Sequence, residues 1–338
     1  MTEEHFVIIG NGPAGNQAAF TLREKLPDAR ITMMDKERLR CYKPNLLPEY
    51  IVGKVPEEKL YVSPLELYKS KGIKLRLGQK VVDVNFENKE ITLDHKEDIR
   101  FSGLILAVGG NPRIPEPLLP YKDLMFTLKT LADARGWVRE LDKVESVLII
   151  GGDLTSFAVA KALLHLGKKV RFILNEDAFW PVRYTKEIYE QAAHQLTQKG
   201  VEVLACRKLK GMGRLSEHVL QVQVDDRKIE SGMVGAFFGL LPDVKFLTQS
   251  GLQIERGVLV DEYLNTGFEG VYAAGDCAEI YHPEIRDYWV SIGYDNAVNL
   301  GRIAALNLVG GKVQVDVEPE SIFFVERIRA NISWWMEF

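Results

Sequence analysis

The sequence predicts an α/β protein built from two parallel-sheet units, the second inserted in the first. Three observations carry that prediction. A short apolar run, Phe6–Ile9, is followed at once by Gly10, Gly12 and Gly15 in the spacing G-x-G-x-x-G, and then by apolar residues at helical intervals. The same order returns at Ser146–Ile150, Gly151–Ser156 and Phe157–Leu166. Two crossings rich in proline and glycine, Pro112–Pro120 and Gly239–Asp243, lie on either side of this repeat.

Taken in order, Phe6–Ile9 reads as a strand buried on both faces of a parallel sheet, because its apolar run is unbroken. Gly10 permits the tight turn, Gly12 lets a pyrophosphate approach the backbone, and Gly15 lets helix and strand pack closely. Ala18, Ala19, Leu22 and Leu26 recur at helical spacing, and Pro27-Asp28 stops that helix. Its N-terminus offers unpaired N–H groups and the positive end of a dipole to phosphates. Ile31–Met34 makes the next strand and ends in Asp35, about twenty residues beyond the last glycine, where a carboxylate accepts ribose hydroxyls. Together these describe a Rossmann-like dinucleotide-binding domain, and the repeat at 146–174 describes a second.

Between the two openings the pattern predicts a helix near Pro64–Ser70 and strands over Lys74–Leu77, Lys80–Phe86 and Glu90–Leu93. A further buried strand, Leu104–Leu106, runs into Ala107-Val108-Gly109-Gly110. Later, Val170–Leu174 is a strand, Val271–Ala273 is a strand that runs to Gly275-Asp276, and a helix runs from about Asn296 to Val309 before Gly310-Gly311. The domain boundaries predicted from this are 1–113 and 239–311 for the first unit, 114–238 for the second, and a short tail over 312–338.

Composition narrows the function. The chain has 338 residues, enough for two domains with their own cores, and a formal net charge of -4, which gives no broad basic field for nucleic acid. The longest apolar run, Met233–Leu241, is too short to span a bilayer. The acidic N-terminus lacks the regions of a signal peptide. Cys41, Cys206 and Cys277 lie far apart with no C-x-x-C, which argues against a disulfide framework or thiolate cluster and for a reducing cytoplasm. The six histidines show no metal-ligand spacing, and no metal is expected.

Four ordered anchors, Gly10–Gly15 with Asp35, Ala107-Val108-Gly109, Gly239-x-x-Pro242 and Tyr272–Asp276, together resemble the FAD-dependent pyridine nucleotide-disulfide oxidoreductases. That family has the glutathione-reductase-like fold; the branch most similar is the rubredoxin, ferredoxin and nitrite-reductase type. The resemblance implies an FAD-dependent oxidoreductase passing electrons between NAD(H) or NADP(H) and an iron–sulfur carrier of the ferredoxin or rubredoxin type. It places the FAD pyrophosphate on Gly12, Pro13, Ala14 and Gly15 and the adenosine ribose on Asp35. It places Ala107, Gly109, Gly275 and Asp276 along the cofactor, and the helix start at Asn296 and Ala297 toward the pyrimidine edge of the flavin, where reduction builds negative charge. Lys43-Pro44 matches the basic-proline segment beside the isoalloxazine and is the expected catalytic pair, Lys43 favouring the anionic reduced form.

The second unit departs from this pattern. Its glycine positions read Gly151, Asp153 and Ser156, with Gly152 between, and the position where relatives carry Glu reads Ala158. Asp153 puts a carboxylate where a pyrophosphate should approach, which predicts repulsion on the order of a few kcal/mol at an effective dielectric near 20. Glu176, Gly239 and Gly152 remain as candidate NAD(P) contacts, with Arg183 a candidate for a 2′-phosphate. These departures raise a second reading, an FAD-bearing electron-transfer subunit of a redox complex whose nicotinamide site is impaired. The disulfide-using relatives' redox cysteine position reads Asn45, so no dithiol relay is expected. The stretch after Gly311 is expected to be too short for the family's usual interface domain, with Trp334, Trp335 and Phe338 packing on the body of the fold.

Overall fold

The computed structural model describes residues 4–174, 186–205, 209–321, 323–325 and 328–332. Its first sheet has five parallel strands in the order Val271–Ala273, Gly103–Leu106, His5–Ile9, Arg30–Asp35 and Ile73–Leu77. All five residues of His5–Ile9 are buried, the apolar run Phe6–Ile9 among them, as the centre of a parallel sheet requires. The second sheet has four parallel strands, Glu202–Ala205, Lys169–Leu174, Ser146–Gly151 and Met233–Phe237.

The duplication runs deeper than the two glycine turns. In each unit a three-stranded antiparallel meander precedes the fourth parallel strand in chain order. In the first it is Val81–Asn85, Glu90–Leu93 and Asp98–Arg100; in the second, Leu209–Ser216, Val219–Val224 and Arg227–Ser231. The two crossings pair with each other as a short antiparallel ribbon, Leu240 opposite Pro112 and Pro242 opposite Gly110. The ribbon brings the ends of Gly103–Leu106 and Met233–Phe237 side by side, which directs both nucleotide-type turns toward common space.

Helix starts differ from the sequence expectation for local reasons. Helix Leu154–His165 begins three residues before Phe157, because the Asp153 side chain caps it. Helix Tyr294–Leu308 begins two residues before Asn296, after Gly293 at φ +114. Helix Leu131–Leu141, which carries no run of apolar residues, is set by a capping box in which Thr130 and Asp133 satisfy each other's backbone N–H groups.

The expected short tail contributes strands. Phe323–Val325 and Ile328–Ile332 extend a sheet with Val258–Val260, Ala278–His282 and Asp287–Ile292. Glu176, Arg183, Cys206, Trp334, Trp335 and Phe338 lie outside the described residues. Among the described residues no helix is long and apolar enough to cross a membrane.

Candidate functional site

The first turn shows why its glycines stand where they do. A Cβ on Gly10 would lie 2.1 Å from the Ala107 carbonyl oxygen, and one on Gly15 would lie 1.9 Å from the Gly10 carbonyl oxygen. Both positions therefore hold backbone against backbone. A Cβ on Gly12 would meet nothing within 4 Å. That open side faces a cavity of about 280 Å³ lined by Gly12, Pro13, Ala14, Asp35, Pro44, Ala107, Gly109, Gly275, Asp276 and Ala297. Residues predicted from six separate stretches thus meet around one space.

Small residues allow that convergence. Helix Pro13–Lys25 packs on helix Tyr294–Leu308, where a Cβ on Gly301 would lie 2.0 Å from the Ala14 carbonyl oxygen. Gly275 sits against Ala14 and Ala297. The N-termini of both helices reach the cavity as a result, with Gly293 and Tyr294 joining Ala297 in the lining.

At one end, Asp35 accepts hydrogen bonds from the backbone N–H groups of Asn11 (2.6 Å) and Glu37 (2.7 Å). Burial raises its pKa despite those bonds. Asn11 donates its amide to the Leu39 carbonyl, while its buried Oδ1 has no partner among the described residues. A buried acceptor with no donor is costly unless a ligand supplies one. A ribose hydroxyl beside Asp35 has the right chemistry. The Gly12 opening, the two helix N-termini and this orphaned oxygen fit an adenine dinucleotide such as FAD.

The cavity also holds a cation that sequence reasoning missed. Lys129 lines the cavity, and its Nζ lies 3.8 Å from where a Gly109 Cβ would be. Its charge opposes the rise in pKa that burial imposes on Asp276 and on Glu37. Lys129 immediately precedes the capped start of Leu131–Leu141, and its own N–H bonds Asp133, so its backbone is fixed. The capping box was the available signal; only the fold shows that it opens onto the cavity. Replacing Lys129 with methionine keeps the stem and removes the charge. FAD affinity should fall roughly tenfold, about 1.4 kcal/mol, measured by titrating the apoprotein; an unchanged affinity would exclude a role for this charge in binding.

Lys43 and Asn296, predicted beside the flavin, do not line the cavity. Lys43 is absent from the lining, where Tyr42, Pro44 and Asn45 stand instead; its N–H is held by the Leu60 carbonyl at 2.9 Å. Asn296 turns its amide back to the Ile292 carbonyl because the helix has already started, and Ala297 takes the facing position. Glu37, which sequence reasoning missed, forms a half-buried pair in the lining with Tyr42, the Tyr42 hydroxyl donating to Glu37 Oε2 at 3.1 Å. Burial and the Glu37 charge hold that hydroxyl protonated far above neutrality. Cys41 is a buried free thiol, pushed up to about 12 by burial.

In the second unit Gly151 repeats the packing of Gly10, a Cβ there lying 2.0 Å from the Phe237 carbonyl oxygen. Gly152, Asp153 and Gly239 stay behind the lining; Leu154, Thr155, Ala158 and Leu240 reach the cavity instead. Asp153 is 8% exposed and accepts from Ser156 N–H and Gly239 N–H, each at 2.8 Å. Desolvation raises its pKa to about 6, the backbone bonds pulling the other way. An acid raised on folding contributes its stability in the protonated form, fully present below the unfolded pKa and lost as pH rises through 6. Stability of the native chain relative to Asp153→Asn should therefore fall by up to about 3 kcal/mol from pH 4 to 7. Guanidinium unfolding at several pH values measures this, and a constant difference between the two proteins contradicts it.

Comparison with known proteins agrees with this architecture. The chain is 29% identical over 275 residues to a nitric oxide reductase FlRd-NAD(+) reductase of Escherichia coli, covering 81% of this chain and 72% of that protein. The corresponding protein of Klebsiella pneumoniae is 29% identical over 276 residues, with the same coverage. Among solved structures, a covalent putidaredoxin reductase–putidaredoxin complex superposes with a TM-score of 0.83 at 24% identity, covering 93% of this chain and 77% of that one. A NAD-dependent persulfide reductase from A. fulgidus gives 0.85 at 23% identity over 95% and 62%. Residues 4–300, which take in both glycine turns, the Gly-Asp corner and the cavity between them, match the family described as pyridine nucleotide-disulphide oxidoreductase, and the chain belongs to that family.

Proposed function

We propose that this chain is an FAD-dependent oxidoreductase that passes electrons between NAD(P)H and a one-electron iron–sulfur protein of the ferredoxin or rubredoxin kind. The observation that carries the reading is the cavity that both units line. It joins a dinucleotide cradle at Gly12, Asp35 and Asn11 to the charged residues Lys129 and Asp276, with the first turn of Leu154–His165 on its wall. The names of the flavorubredoxin- and putidaredoxin-directed relatives support the acceptor class. The lack of a membrane-crossing helix among the described residues and the buried free thiols Cys41 and Cys277 support a reducing cytoplasm.

In this reading, residues 1–113 and 239–311 hold FAD and 114–238 receive the nicotinamide nucleotide. FAD, when bound, supplies the chemistry that takes two electrons from a nucleotide and releases them singly. The protein's residues bind and orient. Gly12 lets the pyrophosphate reach the helix N-terminus, and Asp35 with Asn11 Oδ1 fixes the ribose. Lys129 neutralises negative charge near Gly109, and the Gly293–Tyr294 helix start directs N–H groups at the opposite edge. Pro44 and Tyr42 wall the cavity. Anaerobic stopped-flow mixing of the FAD-loaded protein with NADH and NADPH tests the donor. Loss of the oxidised flavin band, followed by its return on adding oxidised ferredoxin or rubredoxin, is the expected result. A flavin that neither nucleotide reduces would overturn the donor half, and one that neither carrier reoxidises would overturn the acceptor half.

A further inference from the structure

The two glycine turns share a backbone plan but differ in what meets the helix N-terminus. In the first, Gly12 caps helix Pro13–Lys25 with no side-chain bond, and the space beyond it is open. In the second, the residue at that position is Asp153. Its two carboxylate oxygens bridge the turn, Oδ1 accepting from Ser156 N–H in the first turn of the helix and Oδ2 from Gly239 N–H across the crevice. Gly239 follows the strand Met233–Phe237, so the bridge spans the two strand ends between which a doubly wound unit admits a dinucleotide phosphate. Those N–H groups are donors that an incoming pyrophosphate would use.

A second observation is independent of charge. In the first turn, a Cβ at Gly15 would lie 1.9 Å from the Gly10 carbonyl oxygen. Ser156 carries that Cβ at the matching position, is fully buried, and donates its hydroxyl to the Asp153 carbonyl at 2.5 Å. The second turn therefore cannot adopt the close strand–helix approach of the first. Its hydrogen bonds hold it in a different, self-satisfied form.

We infer that Asp153 is a specificity-determining residue of the second unit: its carboxylate occupies the donors of the dinucleotide pyrophosphate as an internal anion, so that a nicotinamide nucleotide binds only after displacing it. The inference rests on the proposed reading of 114–238 as the nucleotide unit. It replaces simple repulsion with competition, since the same two N–H groups cannot serve both anions. A charge-assisted bond to a buried carboxylate is strong enough that giving up its partner weakens an incoming ligand roughly tenfold to a hundredfold. The wild-type protein is consequently a poor binder of the free nucleotide, and removing the carboxylate improves it.

The test is calorimetric titration of NAD+ into the FAD-loaded protein at pH 8, where Asp153 is ionised, for the wild type, Asp153→Gly and Asp153→Asn. Flavin content and melting temperature confirm that each protein is folded. Both variants should bind about tenfold or more tightly than the wild type. Asp153→Asn removes the charge while keeping the side chain, so a gain in that variant cannot come from an emptied turn. Equal affinity in all three proteins would overturn the inference, as would weaker binding in both folded variants. Failure of the functional reading looks different: Asp153→Gly would bind NAD+ tightly while NADH and NADPH still failed to reduce the flavin. Rapid flavin reduction of the wild type by micromolar NADH, with no gain in the variants, would leave the function standing and remove the role of Asp153.

Discussion

Gly12→Val should give a folded protein that does not hold FAD. The position has an extended backbone, φ -75 and ψ -175, which valine adopts without strain, and its Cβ would meet no protein atom within 4 Å. The branched side chain instead fills the space by which a pyrophosphate reaches the N-terminus of helix Pro13–Lys25. Loss of those backbone donors should weaken FAD by at least about a hundredfold, roughly 3 kcal/mol. The purified protein should be colourless, with the melting temperature of the wild-type apoprotein. A yellow Gly12→Val protein with a full complement of flavin would remove the cradle from this turn. The neighbouring glycines should behave otherwise, because at Gly10 and Gly15 an added Cβ strikes backbone, and there the fold fails before the cofactor does.

Gly301→Ala carries the second large effect, on stability. The new Cβ would stand 2.0 Å from the Ala14 carbonyl oxygen, and the atom it meets is helix backbone, which cannot rotate away. Helices Pro13–Lys25 and Tyr294–Leu308 must separate. Overpacking of a well-filled core costs about 1–3 kcal/mol, and a backbone contact belongs at the upper end. At about 2–4 °C per kcal/mol for a domain of this size, the melting temperature should drop by roughly 6–12 °C. Because both helix N-termini line the cavity, FAD affinity should fall as well. Thermal unfolding of the apoprotein with a parallel flavin titration checks both effects. A melting temperature within a degree of the wild type would show that the helices accommodate the methyl group.

Comparing the two turns separates what repeats from what was altered. Gly10 and Gly151 make the same close approach to a carbonyl at the end of a parallel strand, Ala107 in one unit and Phe237 in the other. That contact joins neighbouring strand ends in both units. Positions 12 and 15 of the first turn serve the ligand and the helix approach; their counterparts, Asp153 and Ser156, are bonded to each other. Capping is also why Asp153 moves the helix start forward. The residue that departs most from a dinucleotide pattern is a favourable N-cap, and the fold keeps the helix while changing what its first turn can accept.

The order of strand, glycine turn, helix, strand and acid was legible in the sequence because each depends on neighbours a few residues away: an unbroken apolar run, a spacing of glycines, a helical recurrence of alanine and leucine. The same local grammar announced the second unit and its damaged turn. What the sequence did not contain was who meets whom across the chain. Lys129, beside the N-cap Thr130, entered the cavity and Lys43, beside Pro44, did not, since a long flexible side chain is placed by the sheet and ribbon around it. Asn296 yielded to Ala297 because one glycine, Gly293, started its helix two residues early. Asp153 was readable as a charge in the wrong place; that it answers Gly239, 86 residues away, was settled by the pairing of strand ends. Backbone periodicity is a short-range property of the chain, whereas the partner of a buried charge is fixed by packing between distant segments.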